Sequence, residues 1–365
     1  MSLRAGFLGA CPYPVPQGSQ VFLRDHARAF REAGHEAHLI TYGFGRGEDD
    51  SGLPLHRGPG RTGKTSAGPS LAKPFLDLGL VFTVRRVVQR EALQVLFAHN
   101  YEALIVALAA RACPVIYHAH NTMADELPHY FGRASWAHGV GHWLDRSLPR
   151  RAAQVIVPHE RLASHLVQCG VREQDISVIA PPVWPVVLPQ LSSNAIPTVD
   201  YTGNLDAYQN LGLLTAAMQR LREELPTAAL RIATAVDCSI PDASVHHVTS
   251  AEELFTFLAA ESVFAVPRVS WSGYPVKTLN AMAAGKAIVA CASAAHGLEH
   301  KKTALIVPDN DASAFAAALK RLLMDSALRA RLGEAAREQV ARAHAPKRVG
   351  ERLAAIAETA IAASR

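Results

Sequence analysis

The sequence predicts an α/β protein of two domains, each a parallel sheet covered by helices. Three observations carry this. Short apolar runs alternate with amphipathic segments along the chain, the pattern of strands buried between helix layers. A length of 365 residues exceeds what one hydrophobic core usually serves, so two cores are expected. A Pro- and Ser-rich stretch, Pro181-Pro182-Val-Trp-Pro185 through Ser192-Ser-Asn-Ala-Ile-Pro197, interrupts the alternation near the middle and reads as a linker. The expected boundaries are residues 1–185 for the first domain, 186–197 for the linker, 198–345 for the second domain and 346–365 for a last helix.

Taken in order, Ala5 to Ala10 is an apolar run that reads as the first strand, and Pro12-Tyr-Pro-Val-Pro-Gln-Gly18-Ser19-Gln20 as the turn after it. Helical spacing runs from Val21 to Ala33 and stops at Gly34, and Ala37 to Thr41 is the next strand. Val95 to Ala98 is a strand that ends in His99-Asn100-Tyr-Glu102. Val115-Ile-Tyr-His-Ala-His120-Asn121 is another, with a helix expected to start near Met123. In the second half, Val263 to Val266 and Ala287 to Cys291 are strands. Ala312 to Leu323, Ala327 to Ala343 and Lys347 to Ala363 carry strong 3.6-residue spacing and read as helices.

One segment between those strands carries chemistry. It runs Arg268-Val-Ser-Trp-Ser-Gly273-Tyr-Pro-Val-Lys277-Thr-Leu-Asn280-Ala-Met-Ala-Ala-Gly285. Gly273 lets the backbone approach a ligand, and the short helix that follows points its first N–H groups at that spot. Arg268 and Lys277 flank the same turn, and Gly285 stops the helix. Such a unit can hold a phosphate without a metal cage.

Charge and cysteine usage narrow the partners. A net charge of +5 and a pI near 9.0 lean toward anionic ligands without a nucleic-acid signature. Arg57, Arg61, Lys64 and Lys73 come with no acid among them, and Arg85, Arg86 and Arg90 follow on a helical pattern; they read as a solvated loop and helix face. No apolar run reaches the roughly 18 residues of a helical membrane span, and Met1-Ser-Leu-Arg leads directly into a strand, so a cytoplasmic protein is expected. The five cysteines (Cys11, Cys113, Cys169, Cys238, Cys291) are scattered, without zinc spacing. Asp49-Asp50 lies in a polar loop, and no D-x-D pair stands in a suitable place. Neither a metal nor a resident cofactor is expected.

Gly58-Pro-Gly-Arg-Thr-Gly63-Lys64-Thr65 matches the P-loop expression letter for letter. A working P-loop follows a buried strand and opens a helix. Here Leu53-Pro-Leu-His is a poor strand, and Ser66-Ala-Gly68-Pro69 blocks helix continuation. The motif therefore reads as a Gly/Pro/Lys loop, with a nucleotidase as a remote alternative.

The segment at 268–290 resembles the donor-site segment of retaining GT-B glycosyltransferases of the family-4 type (glycosyl transferases group 1), whose pattern is E-G-F-P/G-x-x-x-L-E-A-M-A-x-G-x-P-V-V-A. The resemblance spans nearly the whole chain. Pro12 to Gln20 and Gly34-His35-Glu36 are similar to the family's P-x-x-G-G and G-H-E-V, and Val115 to Asn121 to its V-V-Y-T-x-H-G/T. Ala152 to Val183, Val199-Asp-Tyr-Thr-Gly203-Asn204-Leu205 and Leu305-Ile-Val-Pro-Asp-Asn-Asp311 look like the exit from the first domain, the entry to the second, and G-L-L-V-P-x-x-D.

The resemblance implies two Rossmann-like domains facing across a cleft, with the C-terminal helix crossing back. It also implies transfer of a hexose from a UDP-linked sugar to an unidentified acceptor, a small molecule or a lipid-linked glycan. Metal would play no part, and the leaving phosphate would take the acceptor proton. Gly18 and Ser19 would approach the diphosphate. His120 would meet the donor sugar, Asp125 or Glu126 would orient the acceptor hydroxyl while the other caps the helix, and His99, Asn100 and Glu102 would line the acceptor side. For the basic region it adds, as an alternative, peripheral contact with an anionic membrane.

The chain departs from the family at four places. Asn204 and Gln209, in Gly203-Asn-Leu-Asp-Ala-Tyr-Gln209, stand where an Arg and a Lys are usual, so Arg268 and Lys277 become the candidate diphosphate cations. Ser272 and Asn280 stand where the two glutamates of E-x7-E hold the donor sugar and ribose, and they keep hydrogen bonding without charge. A non-catalytic nucleotide-sugar-binding protein, or an epimerase or hydrolase of the same fold, stays open on those grounds.

Overall fold

The computed structural model describes residues 2–15, 17–61, 72–131, 135–189 and 196–364. They fall into two compact units, Met1–Pro182 with Ala345–Arg365, and Val183–His344.

Unit 1 is a seven-stranded parallel sheet. Its strands are β1 (Arg4–Gly9), β2 (Glu36–Thr41), β3 (Leu55–Arg57), β4 (Val95–His99), β5 (Val115–His118), β6 (Gln154–Val157) and β7 (Ile176–Val178), in the order β3-β2-β1-β4-β5-β6-β7. Its helices are α1 (Gly18–Glu32), α2 (Lys73–Arg90), α3 (Asn100–Ala110), α4 (Met123–Phe131), α5 (Ser135–Ser147) and α6 (Glu160–Gln168). Because β-residues alternate sides, Leu8, Leu96 and Tyr117 bury against Leu80, Val84 and Leu104 on one face. Phe7, Phe97 and Ile116 bury on the other, where Phe7 stacks on Phe97 at 4.7 Å between ring centroids.

Unit 2 is a six-stranded parallel sheet in the order β10-β9-β8-β11-β12-β13. Its strands are β8 (Thr198–Thr202), β9 (Ala229–Thr234), β10 (Ser244–His247), β11 (Val263–Val266), β12 (Ala287–Cys291) and β13 (Ala304–Val307). Its helices are α7 (Leu211–Glu224), α8 (Ala251–Ala259), α9 (Val276–Ala283), α10 (Ala312–Met324) and α11 (Ser326–Ala343). Tyr201, Leu214, Val263, Val289, Phe315 and Leu332 form its core.

The last helix, α12 (Pro346–Ala362), belongs to unit 1 and packs on α1. The contact needs Gly350: a β-carbon there would lie 2.0 Å from the Ala29 carbonyl oxygen. Val349, Leu353, Ala357 and Ala360 are buried there at helical spacing.

Two local expectations change. Helix α1 begins at Gly18, three residues before Val21, because extended Gln17 serves as its N-cap and the first turn needs no apolar residue. The poor strand around Leu53 does form β3, as a three-residue edge: Leu55, His56 and Arg57 pair with Leu39, Ile40 and Thr41. Pro54, which has no N–H to give the ladder, stands just outside it. Of the P-loop-like motif, Gly58–Arg61 forms a loop against the end of β2, where the Gly58 N–H meets the Thr41 carbonyl at 2.7 Å. Gly63, Lys64 and Thr65 lie outside the described residues. Among the described residues, no helix is long and apolar enough to cross a membrane.

Candidate functional site

In both sheets the connections reverse direction beside the first strand, between β1 and β4 and between β8 and β11. In such sheets ligands bind outside the C-terminal strand ends at the reversal. The candidate residues of each unit follow those strands.

In unit 2, the loop after β8 carries Gly203, Asn204 and Gln209, and the segment after β11 carries Arg268, Ser272, Gly273 and Lys277. The fold brings them together. Lys277, in the first turn of α9, donates from Nζ to Gln209 Oε1 at 2.5 Å and stands 4.0 Å from the centroid of the Tyr201 ring. Gln209 donates from Nε2 to Asn204 Oδ1 at 2.7 Å. Gly203 has φ +121, and a β-carbon there would be 3.9 Å from Lys277 Nζ. The positive φ is what calls for glycine here, since 3.9 Å is an ordinary contact distance. Tyr201 OH closes the turn by donating to the Asn204 carbonyl at 2.8 Å.

Arg268 lies against the Gly273 turn that follows β11. Its Nε and Nη2 donate to the Ser270 carbonyl and Oγ, each at 3.1 Å, and its guanidinium carbon lies 5.1 Å from the Tyr208 ring centroid. A β-carbon on Gly273 would come within 2.8 Å of Arg268 Nη2. Burial, and then the nearby Arg268 charge, hold the Lys277 ammonium well below the ordinary lysine value. A bound anion reverses both effects, since it favours the charged form. Ser272 is buried, and Asn280 is half-buried one turn beyond Lys277 on α9. Tyr201 and Tyr208, which lie beside the two cations, were missed in the sequence; the aromatic-x6-aromatic spacing in the loop was the available signal.

In unit 1, Gly18 and Ser19 are the first residues of α1, so their backbone N–H groups belong to a helix N-terminus. His99 ends β4 and His118 ends β5, and the two are register partners on adjacent strands. His120 follows two residues later, and its Nε2 lies 2.9 Å from His99 Nδ1. Burial lowers the His120 imidazole to about 3, with His26 adding to the shift, and pushes His99 and His118 well below the ordinary value. All three imidazoles are therefore neutral at pH 7. His118 and His26 were not singled out in the sequence.

Asn100 opens α3 with φ +71, and its buried Oδ1 has no hydrogen-bond partner among the described residues. Glu102 is paired with Lys73 at 2.7 Å, so one member of the supposedly solvated basic stretch is an ion-pair partner. The first three N–H groups of α4 are met by residues other than Asp125 and Glu126. The cap comes from Thr122, whose Oγ1 accepts from the Asp125 N–H at 3.1 Å, and from Asp145 on α5, which accepts from the Met123 and Ala124 N–H groups at 2.9 and 3.2 Å. A buried carboxylate from a neighbouring helix reaches those donors where side chains already inside the first turn do not. Glu126 instead accepts from Asn121 Nδ2 at 2.7 Å.

The comparisons with known proteins agree with this architecture. The family model described as Glycosyltransferase Family 4 matches residues 16–185, and that described as Glycosyl transferases group 1 matches residues 196–325. No curated protein matches the chain. Among solved structures, sucrose-phosphate synthase from Thermosynechococcus elongatus is 17% identical with a TM-score of 0.82, the match covering 99% of this chain and 100% of that one. Anabaena HepE in complex with UDP-glucose is 16% identical with a TM-score of 0.75, covering 97% and 98%. WaaG, a glycosyltransferase involved in lipopolysaccharide biosynthesis, is 12% identical with a TM-score of 0.69, covering 95% and 99%. At these identities the solved structures carry the fold alone, and the fold is GT-B. With a glycosyltransferase model matched in each half, the chain belongs to the family-4 glycosyltransferases.

Proposed function

We propose that the protein is a cytoplasmic retaining hexosyltransferase that takes a UDP-linked sugar and holds its diphosphate without a metal ion. The observation that carries this is the Lys277–Gln209–Asn204 chain beside Arg268 and Gly273, two cations and a glycine turn at one end of the unit 2 sheet. As the glycosidic C1–O bond to the diphosphate breaks, negative charge grows on the leaving phosphate, and fixed donors there lower the barrier. The acceptor oxygen bonds to C1 on the same face, and the leaving phosphate takes its proton. His120 meets the sugar, with His99, Asn100, Glu102, Asp125 and Glu126 on the acceptor side. HepE, similar across nearly its whole length, was solved with UDP-glucose, which supports the choice of donor.

The test is a thermal-shift comparison of UDP-, GDP-, ADP- and TDP-sugars in EDTA, each against EDTA alone. A ligand at about 100 times its Kd adds about 2.7 kcal/mol. UDP-sugars should stabilise and yield product with an acceptor. Stabilisation that requires Mg²⁺ or Mn²⁺ overturns the metal-free diphosphate site. Binding without turnover for any acceptor favours the non-catalytic reading that Ser272 and Asn280 leave open, and release of UDP without an acceptor favours the hydrolase or epimerase.

A second reading concerns the acceptor. On α2, Phe75, Leu78 and Phe82 are 79%, 60% and 62% exposed and share a helix face with Arg86. On α5, Trp136, Val140 and Trp143 are 54%, 42% and 65% exposed. Apolar and aromatic faces of this kind with a basic residue fit an anionic bilayer surface, which favours a lipid-linked acceptor. Co-sedimentation with anionic vesicles should fall in a Phe75→Ser/Phe82→Ser variant. Equal binding by that variant overturns the reading.

A further inference from the structure

We propose that His99, His118 and His120 form a binding site for a transition-metal ion of the zinc class inside unit 1. One ligand nitrogen from each can be chosen so that all lie within 4.8 Å of one another. The topology makes this meeting. His99 and His118 end neighbouring parallel strands as register partners, and the chain brings His120 back to within 2.9 Å of His99. Zinc–imidazole bonds of about 2.0–2.1 Å place ligand nitrogens within roughly twice that distance of each other. Small ring rotations close the cluster on an ion.

The second observation is independent of that spacing. The three rings are 3%, 0% and 8% exposed. His99 Nε2, both nitrogens of His118 and His120 Nδ1 are buried with no hydrogen-bond partner among the described residues. Buried polar atoms are nearly always satisfied, and four orphans in one cluster require an explanation. An ion takes one nitrogen from each ring, so it accounts for at most three of the four. His26 extends the cluster: its Nδ1 is 2.7 Å from the Phe22 carbonyl, which fixes that nitrogen as the protonated one. Its Nε2 therefore keeps a lone pair, and is itself buried with no partner among the described residues, while its ring packs edge-on to His118 at 4.3 Å.

The donor set defines the ion. Neutral imidazoles suit zinc, copper, iron and nickel, and not magnesium, calcium or manganese, which take oxygen ligands. Three imidazoles also leave a coordination position open for water or a substrate oxygen. The inference shares His120 and His99 with the proposed sugar and acceptor side, and it is independent of the diphosphate cluster, whose residues lie in unit 2.

The experiment uses the full-length chain without an affinity tag and without nucleotide. Metal content is measured after dialysis against EDTA, and Co²⁺ uptake is followed by visible absorption. We expect about one equivalent of zinc-class metal, or an intense low-coordinate Co²⁺ spectrum, and at least a tenfold loss of affinity in both His118→Gln and His99→Gln. His138 and His142, an exposed stacked pair on α5 at 4.7 Å, are the competing surface site, so His142→Ala is the control and should keep the metal. The proposal is overturned if the folded wild-type chain takes up neither Zn²⁺ nor Co²⁺, or shows only a weak six-coordinate Co²⁺ spectrum. It is also overturned if folded His118→Gln keeps the equivalent, or if His142→Ala loses it. Should His118→Gln not fold, wild-type uptake, the Co²⁺ spectrum and the His142→Ala control decide.

Discussion

Lys277 Nζ sits 2.5 Å from Gln209 Oε1, across 68 residues of sequence. The contact joins the first turn of α9 to the loop after β8. The family usually carries its lysine at position 209 of this chain; here the amide stands there and an ammonium from another segment reaches it.

Replacing that lysine should therefore be costly. Lys277→Ala removes a charge-assisted contact from a buried site and should cost about 2–4 kcal/mol of transition-state stabilisation, about 30- to 1,000-fold in kcat/KM. Gln209→Ala removes only the neutral partner and should cost clearly less. Steady-state kinetics on the two variants decide. A dead Gln209→Ala beside a normal Lys277→Ala would put the phosphate on the other loop.

Donor binding should take up a proton. Burial and Arg268 lower the Lys277 value in the free protein, and a diphosphate beside it raises that value. Above the lowered value the free lysine is neutral, and binding protonates it. Calorimetry of UDP binding in buffers of different ionisation heat should show net uptake at alkaline pH, abolished in Lys277→Met. Identical heats across buffers for the wild type would contradict this.

Unit 2 should depend heavily on Asp200. Its fully buried carboxylate accepts from Arg231 Nε and Nη2 at 2.9 and 2.8 Å and from Ser262 Oγ at 2.5 Å, with Lys286 Nζ at 3.9 Å. Asp200→Ala leaves buried Lys286 and part-buried Arg231 without their carboxylate and should cost about 3–5 kcal/mol. A urea midpoint within error of the wild type would show that the pairs contribute nothing.

Stability of unit 1 should fall at alkaline pH through His165. The hydrogen bond to Asp145 at 3.3 Å, then that to Cys169, raises the His165 imidazole from 6.5 to about 9. A raised native value means the folded state holds the proton more tightly. The stabilisation is complete below the unfolded value of roughly 6.5 and is lost as pH rises through about 9. Discounted for partial exposure, about 1–3 kcal/mol is at stake. Urea unfolding at several pH values should show this decline in the wild type and a flatter profile in His165→Asn. Parallel profiles would rule the pair out.

Much of the framework was legible because it is local. Val263–Val266 and Ala287–Cys291 are contiguous apolar runs, the first closed by Pro267 and the second opened after Lys286, and they form β11 and β12 at those bounds. Helix spacing placed α10 and α12 within a residue of their observed ends, since an amphipathic face repeats along the chain whatever it packs against. Arg268, Gly273 and Lys277 stood out together because one turn holds all three. The start of α1 was misread because Gln17 is not a strong capping residue, and β3 because an edge strand needs only a pairing partner.

What only the tertiary structure decided was which distant groups meet. The sequence by itself determined the α/β alternation, the Gly273 turn flanked by Arg268 and Lys277, and the four departures at Asn204, Gln209, Ser272 and Asn280, all carried by residue type and spacing. It held no sign that Lys277 reaches Gln209, that Asp145 caps α4 from a neighbouring helix, or that His118 buries beside His99, His120 and His26. Those pairs arise from strand order and register, which place ends of chain segments side by side across tens of residues. A side chain's partner, and with it its charge state, depends on that placement and not on its neighbours in sequence.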